Sequence, residues 1–338
     1  MRSRDFWTGL GAAAGMLVLI LDSQTALAGM RDGIELCLRT LIPSLFPFFF
    51  LSVLLTGNLL GSRIKIMRPI GQLCGIPEGA ESLLAVGLLG GYPVGAQNVA
   101  LAYESGSLSK TDAQRLLSFC SNAGPAFLFG IVGAAFDSPW IPWALWAVHM
   151  ASALIVGMAG NCNAGRSAAV HRTPVSLTGA LQKALSVMAQ VSGWVIIFRM
   201  LLTYLDRWFL WLLPNDAKIL LSGILELSNG CIQLRELENE GLRFLTAAVL
   251  LALGGLCVCF QTSSVAKGLS LKYYFPGKLL QAVLSVLMAM CMQSILPLSQ
   301  KYTVSPFFIA LLLLCSLILV WFLRKQQNSS RIPAPVVV

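Results

Sequence analysis

The stretch Gly90-Gly91-Tyr92-Pro93-Val94-Gly95-Ala96-Gln97-Asn98 lies between two apolar arms, residues 82–89 and 99–103. Three glycines and a proline within six residues cannot continue a helix, because proline lacks an amide hydrogen and glycine leaves the backbone loosely specified. In a bilayer such a break exposes backbone groups that lipid cannot satisfy, so it survives only inside protein or beside a wet cavity. The stretch therefore predicts a discontinuous membrane helix of the kind that forms substrate sites in transporters.

The whole chain has the composition of a membrane protein. Of its 338 residues, 56% are hydrophobic and 12% are charged, against an average charged share of about 25%. Apolar runs close to the ~20 residues that span a bilayer recur along its length, which predicts one integral domain, residues 1–338, in contact with the lipid bilayer. The net charge of +9 is scattered between these runs and forms no basic face, so it indicates membrane topology and not nucleic-acid binding.

The pattern predicts an all-α polytopic membrane protein with about eight transmembrane helices and two re-entrant helical hairpins. The expected spans are 6–28, 41–60, 116–136, 140–160, 191–213, an apolar run after Gly241, 278–296 and 306–323. A retained first helix is favoured over a signal peptide cut after Ala26-Leu27-Ala28, and both readings stay open.

The expected hairpins are residues 79–103 and 217–234, each polar or glycine-rich at its centre. Two further breaks are expected, at Cys120-Ser121-Asn122-Ala123-Gly124-Pro125 and at Gln261-Thr262-Ser263-Ser264. The remaining segments are predicted as an interfacial helix (29–40), a basic connector (Arg63, Lys65, Arg68), a basic loop (161–174, with Arg166, His171 and Arg172), an amphipathic lead (176–190) and a polar cytoplasmic tail (324–338).

The second half of the chain repeats the plan of the first. At a shift of 135 residues Gly95 aligns with Gly230 and Gly106 with Gly241, which predicts a first repeat over 41–160 and a second, inverted repeat over 176–296. With both termini cytoplasmic, the inside segments hold 16 Lys and Arg residues and the outside segments 7, as the positive-inside rule requires. Lys278 is counted with the inside residues. This topology suits a bacterial cytoplasmic or spore-associated membrane.

The polar residues at the breaks are the candidate substrate-binding groups. They are Gly91, Tyr92, Pro93, Gly95, Gln97, Asn98, Ser121, Asn122, Ser228, Asn229, Thr262, Ser263 and Ser264. A half-helix end can offer free N–H groups and positive dipole to an anion. The alternatives are tight helix packing for the glycines, capping for Gln97 and Asn98, and back-bonding to the helix for serine and threonine.

Three ionisable residues lie within apolar segments. Glu226 is the candidate for coupling to Na⁺ or H⁺, because a carboxylate in the membrane normally faces a partner, a cavity or a transported cation. Arg199 is expected to pair with an anionic substrate or with Glu226. His149 is expected to be a hydrogen-bonded packing residue and not a proton relay.

Three segments resemble the sporulation integral membrane protein YlbJ family, of the nucleoside recognition or Gate domain group. They are Pro43-Ser44-Leu45-Phe46-Pro47-Phe48, Gly91-Tyr92-Pro93-Val94-Gly95-Ala96 and Ser121-Asn122-Ala123-Gly124-Pro125-Ala126-Phe127. The resemblance covers roughly residues 40–300, and Glu226 with Gly230 fits the family's second hairpin. Wider relatives are similar to concentrative nucleoside transporters. The resemblance implies solute movement in spore-forming bacteria, with a dipicolinate-like or nucleoside-like cargo.

Two functions fit these features. The first is a secondary transporter of a small anionic or heterocyclic solute, without a cofactor. The second is a membrane scaffold or assembly factor that retains the transporter fold; a homo-oligomer fits either. An enzyme is not expected, because the sequence lacks a nucleophile with its base, paired carboxylates, an HExxH motif and a Walker motif.

Overall fold

The computed structural model describes residues 3–59, 62, 64–160 and 174–329, with side chains from residue 6 to residue 326 within those ranges. Residue 60 of the predicted span 41–60 lies outside the described residues, and so do parts of three other predicted segments. They are Arg63 of the basic connector, residues 161–173 of the basic loop with Arg166, His171 and Arg172, and residues 330–338 of the tail.

The described chain is helical, with turns between the helices and no strand in those ranges. The helices of the first half are α1 (Ser3–Leu21), α2 (Ser23–Leu59), α3 (Arg68–Leu73), α4 (Glu81–Leu89), α5 (Val94–Glu104), α6 (Lys110–Leu116), α7 (Pro125–Ala135) and α8 (Trp140–Ala159). Those of the second half are α9 (Leu177–Trp208), α10 (Asn215–Leu225), α11 (Leu227–Gln233), α12 (Glu240–Leu253), α13 (Gly255–Val265), α14 (Tyr274–Met292) and α15 (Pro306–Ser329).

Six helical stretches in the described residues are long and apolar enough to cross a bilayer. They are Ser23–Leu59, Trp140–Ala159, Leu177–Trp208, Glu240–Val265, Tyr274–Met292 and Pro306–Gln326. Two shorter apolar helices, Phe6–Leu21 and Pro125–Ala135, lie where further spans were predicted. The prediction of an all-helical polytopic membrane protein is confirmed.

The predicted interfacial helix over 29–40 is not a separate element, because it is part of the 37-residue helix α2. This segment contains a Gly-x-x-x-Gly pair, Gly29 and Gly33, which lets α2 pack closely against α9. The segment is therefore held within the helix bundle and not at the membrane surface. A Cβ atom on Gly29 would lie 2.7 Å from the Cα of Met200, and one on Gly33 would lie 2.9 Å from the Cα of Ile196. A π-turn at Cys37–Leu41 precedes the two prolines of α2.

The predicted amphipathic lead over 176–190 likewise joins its span in one 32-residue helix, α9. Ser176 begins this helix, and its hydroxyl accepts a hydrogen bond from the backbone N–H of Gly179 (3.1 Å). With a favourable cap at its start and no proline or glycine pair within it, the helix has no local reason to stop at residue 190.

The second break of the second half was predicted at Gln261-Thr262-Ser263-Ser264, and that prediction was wrong. The backbone is helical through all four residues, as part of α13. The helix is interrupted at Gly254 and Gly255, with φ of +73° and +78°. Two consecutive residues in this left-handed region are available only to glycine at low cost, and they end one helix and start the next.

Lys278 was predicted to begin the span 278–296 and was counted with the inside basic residues, but the structure buries it within the protein. The helix α14 begins at Tyr274, four residues before the predicted span, so Lys278 lies in its second turn and is 3% exposed. Tyr273 and Tyr274 are buried at the start of this helix and extend the packed segment backwards. The number of Lys and Arg residues in the inside segments is therefore one smaller than the 16 counted from the sequence.

Apart from the short helix α3, which lies between α2 and α4 in the first half alone, the described helices of the two halves follow a similar order. A long helix (α2 or α9) is followed by a helical pair with a short break (α4 and α5, or α10 and α11) and then by an interrupted helix (α6 and α7, or α12 and α13). A full-length helix (α8 or α14) ends each series. The long helices pack along each other, and α14 packs against α8, α12 and α15. The two broken pairs lie on either side of the same central region.

Candidate functional site

A small cavity of about 40 Å³ lies where the breaks of the two halves meet. Gly91 and Tyr92 of the first pair line it, and so do Glu226 and Ser228 of the second pair. Its remaining lining comes from Leu41, Leu45, Ala123, Gly124, Phe127, Val191, Val195, Leu227, Val258 and Gln261. A cavity of this size has room for a few water molecules or a small ion.

The break between α4 and α5 packs directly on the break between α6 and α7. Gly91 has φ of +79°, and a Cβ atom on Gly124 would lie 2.9 Å from the Cα of Gly91. Pro93 is buried and is the N-cap residue of α5. Only residues without side chains allow this approach, so the glycines bring two interrupted backbones to one point.

Glu226 lies at the break between α10 and α11 and is 1% exposed. One carboxylate oxygen accepts from the backbone N–H of Ser228 (3.1 Å), and the other accepts from the backbone N–H (2.8 Å) and the side-chain amide (2.8 Å) of Asn229. The carboxylate therefore caps α11, and the positive end of this helix favours its negative charge. Glu226 also lines the cavity.

Arg199 contacts Glu226 only through Asn229. Its guanidinium donates to the side-chain oxygen of Asn229 (2.5 Å) and to Asp32 of α2 (3.1 Å). Asn229 in turn donates to Glu226. Of the two partners expected for Arg199, the structure gives an indirect link to Glu226, and the chain of contacts ties α2, α9 and α11 together.

A second buried polar group surrounds Lys278. Its ammonium lies within hydrogen-bonding distance of the backbone oxygen of Ser121, the side-chain oxygens of Asn122 (3.3 Å) and Gln281 (2.9 Å), and the hydroxyl of Tyr92 (3.3 Å), and shares its three hydrogens among them. All four acceptors are neutral. Within the described residues no carboxylate lies within ion-pair distance of Lys278.

Asn122 and His149 hold this polar group in place. The Asn122 side chain donates to the backbone oxygens of Phe119 (2.6 Å) and Gly87 (3.1 Å), and accepts from Gln281 (3.0 Å). The Nε2 atom of His149 accepts from the backbone N–H of Ala123 (3.1 Å). His149 is thus a buried, hydrogen-bonded residue, as expected, and it satisfies one of the N–H groups that the break leaves free.

Tyr92 contacts the polar group around Lys278 and also lines the cavity beside Glu226. Its hydroxyl donates to the backbone oxygen of Leu251 (3.1 Å) and accepts from Lys278, while its ring lines the central cavity. The same hydroxyl would lie 3.2 Å from a Cβ atom on Gly254. Tyr92 therefore joins the first break of one half to the second break of the other.

The other predicted site residues lie outside the cavity lining. Gly95 packs against the backbone of Cys120, and the side chains of Gln97 and Asn98 point into the protein from α5. Thr262 is fully buried and Ser263 is exposed on the outer face of α13. Ser264 bonds back to the carbonyl of Phe260 (2.8 Å) and accepts from the indole of Trp194 (3.1 Å). The structure thus unites Gly91, Tyr92, Glu226 and Ser228 but does not bring Ser263 or Ser264 to them.

Sequence reasoning missed Lys278, Gln281 and the Gly254–Gly255 break. The available signals were a Lys-x-x-Gln pair on one face of an apolar helix and two adjacent glycines within an apolar run. A lysine near the end of an apolar run is normally an interfacial residue, which hid the first signal.

The chain is similar to the sporulation integral membrane protein YlbJ of Bacillus subtilis (strain 168). The two are 24% identical over an aligned length of 324 residues. The alignment covers 80% of this chain and 78% of the relative. This similarity confirms the resemblance indicated by the sequence motifs, and the helical fold agrees with an integral membrane protein. No family model matches the chain. No solved structure matches it.

Proposed function

We propose, from this relationship to the YlbJ family of sporulation membrane proteins, that the chain is a secondary carrier working by alternating access. Its cargo is a small anionic or heterocyclic solute, dipicolinate-like or nucleoside-like. The two series of helices act as inverted repeats, and the two broken pairs act as re-entrant hairpins. Na⁺ or H⁺ is the coupling ion. A homo-oligomer is compatible with this mechanism.

The observation that carries the proposal is the convergence of breaks from both halves on one buried cavity. Broken helices are costly in a membrane, because each leaves N–H and C=O groups that lipid cannot satisfy. Transporters use such breaks where substrate and coupling ion bind, near the interface between repeats. Here Gly91 and Tyr92 approach Glu226 and Ser228 across a common space.

The size of the cavity fits a closed state of the carrier. About 40 Å³ accommodates water or a small ion, whereas small-molecule sites typically measure about 300–1,000 Å³. Entry of an organic solute therefore requires the broken pairs to separate. The apolar lining between them, which includes Leu45, Phe127 and Val195, contains few polar contacts that would resist this movement.

Glu226 is the residue that we assign to coupling. It is the carboxylate that lines the cavity, and its two oxygens are held by backbone N–H groups of α11. A cation or proton that binds there neutralises a buried charge and changes the cost of exposing the site to either side. Such a difference between empty and occupied states is what couples ion and solute movement.

The test is uptake of radiolabelled dipicolinate and uridine into liposomes that contain the purified protein, with and without gradients of Na⁺ and of pH. We expect wild-type protein to accumulate one of the two solutes in response to one gradient. Glu226→Gln keeps the shape of the side chain and should lose the gradient dependence. Glu238→Gln, at an exposed position, is the matched control and should behave as wild type.

The scaffold function predicts a different result. A scaffold should show no uptake of either solute under any gradient, and it should tolerate both Glu226→Gln and Ser121→Ala in a sporulation assay. Folded wild-type protein with no flux, together with normal sporulation of both variants, would contradict the carrier proposal.

A further inference from the structure

An apolar groove of about 570 Å³ lies between α13, α14 and α15. These helices belong to three of the six stretches that are long and apolar enough to span the bilayer. Leu256, Phe275, Leu279 and Ile318 line the groove and are themselves exposed at the protein surface. The groove therefore opens onto the face that these helices present to lipid.

The lining of this groove suits a hydrocarbon and not a polar ligand. Leucine, isoleucine and phenylalanine supply most of it. Lys278 is its charged residue, but the ammonium is held by inner oxygens such as those of Ser121 and Gln281, so it is not free to bind a ligand. Water gains no hydrogen bonds in such a space, and an empty groove would forfeit dispersion contacts along its walls. An apolar chain is the occupant that fits.

Two exposed lysines lie together where α14 begins and α15 ends. The Tyr273 hydroxyl donates to the backbone oxygen of Gln326 (3.3 Å), which joins the two helix ends. Lys272 and Lys325 immediately precede these two residues in the chain, and both lysines are exposed. Their positive charges are therefore at the same end of the helix pair.

This end of the helix pair is also an end of the groove. Phe275 and Phe322 line the groove and are each three positions, or about one helical turn, from the lysine on the same segment. The two ammonium groups stand over the rings of Tyr273 and Trp321, at 4.7 and 4.8 Å from the ring centroids. Lysines beside aromatic rings are typical of the membrane–water interface. The apolar space thus ends at a basic, interfacial patch.

We infer that the groove and the lysine pair form a binding site for an anionic phospholipid, with one acyl chain in the groove and the phosphate beside Lys272 and Lys325. The apolar space matches the hydrocarbon, and the exposed cations match the headgroup. The bilayer in contact with these helices supplies the ligand. This inference goes beyond the carrier proposal and does not depend on it, because the site requires neither a solute nor an ion gradient.

A chain in the groove packs against the break between α12 and α13. Gly255 lines the groove, and a Cβ atom there would lie 2.8 Å from the backbone oxygen of Gly223 and 3.0 Å from that of Ile224. Ile224 lines the groove as well and is two positions before Glu226. The bound chain therefore contacts both sides of the junction between α10 and the break. Lipid binding should stabilise this junction and raise the unfolding temperature.

The experiment uses the full-length protein in phosphatidylcholine nanodiscs that contain phosphatidylglycerol with a photoreactive diazirine in one acyl chain. Mass spectrometry maps the labelled peptides. We expect saturable labelling of residues 253–259, 274–279 and 318–322. A phosphatidylcholine probe with the same chains should label them about tenfold less, because it lacks the net charge that two lysines recognise. Equal labelling by the two probes, or no saturable labelling of these peptides, would overturn the inference.

Lysine variants test the headgroup part of the site. Lys272→Gln and Lys325→Gln should each lower the labelling by the phosphatidylglycerol probe about fivefold. Lys301→Gln, at an exposed lysine in the loop at the opposite ends of α14 and α15, should have no effect. Added salt should weaken labelling of the wild type more than labelling of the double variant. Unchanged labelling of both single variants would contradict recognition of the phosphate.

Filling the groove tests the chain part of the site. Leu279→Trp should abolish the saturable labelling and the rise in unfolding temperature with phosphatidylglycerol, whereas Leu317→Trp, at an exposed position of α15 outside the lining, should keep both. If Leu279→Trp does not fold, Leu256→Trp fills the groove from α13. Undiminished labelling of a folded, filled variant would overturn the inference. So would a wild-type dimer that Leu279→Trp dissociates without loss of labelling, since a second copy would then occupy the groove.

Discussion

At the scale of single residues, close backbone contact is what several glycines provide. Gly95 packs against the carbonyl of Cys120, and a Cβ atom there would overlap the backbone of the neighbouring break. We expect Gly95→Ala to lower the free energy of unfolding by about 1–3 kcal/mol, because the clash is with backbone and cannot be relieved by a rotamer change.

The control is Gly193→Ala in the middle of α9, where a Cβ atom meets nothing within 4 Å. That change should be neutral or stabilising, by up to about 1 kcal/mol, since alanine is the better helix former. Thermal unfolding of both variants in detergent compares them directly. Equal stability of the two would refute the packing role of Gly95.

Residue type alone predicted the helix break between α4 and α5. It did not predict which residues Lys278 and Arg199 contact. Pro93 and Gly91 carry their backbone preferences with them, so their effect is visible in the sequence. Apart from Gln281, the hydrogen-bond partners of Lys278 and Arg199 are from 30 to 186 positions away in the chain. Such pairings depend on how helices pack, and neither composition nor periodicity encodes them.

At the scale of elements, the break between α12 and α13 depends on left-handed glycine. Gly254→Ala places an L-residue in that region, which costs about 1–2 kcal/mol, and it also crowds the Tyr92 ring at 3.1 Å. Gly106→Ala has the same backbone strain, at φ of +74°, with open space around it. We expect Gly254→Ala to be the more destabilising by about 1–3 kcal/mol, and thermal unfolding of the pair measures the difference.

The cap of α11 gives a second prediction at this scale. Glu226→Ala leaves two buried N–H groups, of Ser228 and Asn229, without their acceptor, at a cost of about 1–3 kcal/mol each at most. Glu226→Gln keeps one acceptor oxygen and should be closer to wild type in unfolding temperature. If the alanine variant were as stable as the glutamine variant, the cap would contribute nothing measurable.

The element scale also explains which predicted boundaries failed. The cluster Gln261-Thr262-Ser263-Ser264 is polar but has ordinary helical backbone, and its side chains reach neighbours such as Trp194. Polarity was mistaken for a break, whereas the adjacent glycines marked the true one. The joined helices α2 and α9 were divided in the prediction because hydropathy changes along them, although helix continuity follows backbone preference and packing.

At the scale of the whole molecule, the charge bias predicts that both termini are cytoplasmic. A fluorescent protein fused after residue 338 should therefore be fluorescent in bacterial cells, and alkaline phosphatase fused at the same place should be inactive. The same reporters fused after Gly241, within the segment assigned to the outside, should give the opposite pattern. Active phosphatase at the C-terminus would reverse the orientation.

The hydrogen bonds of the Tyr92 hydroxyl, and those that the side-chain oxygen of Asn122 accepts, run between the two halves of the chain. Tyr92 bonds to Leu251 and Lys278, and Asn122 to Lys278 and Gln281. A substitution in one half of the chain thus leaves a polar group in the other half without its hydrogen-bond partner. Over evolutionary time the two halves cannot drift independently at these positions, and alignments of related proteins should show positions 122, 278 and 281 changing together.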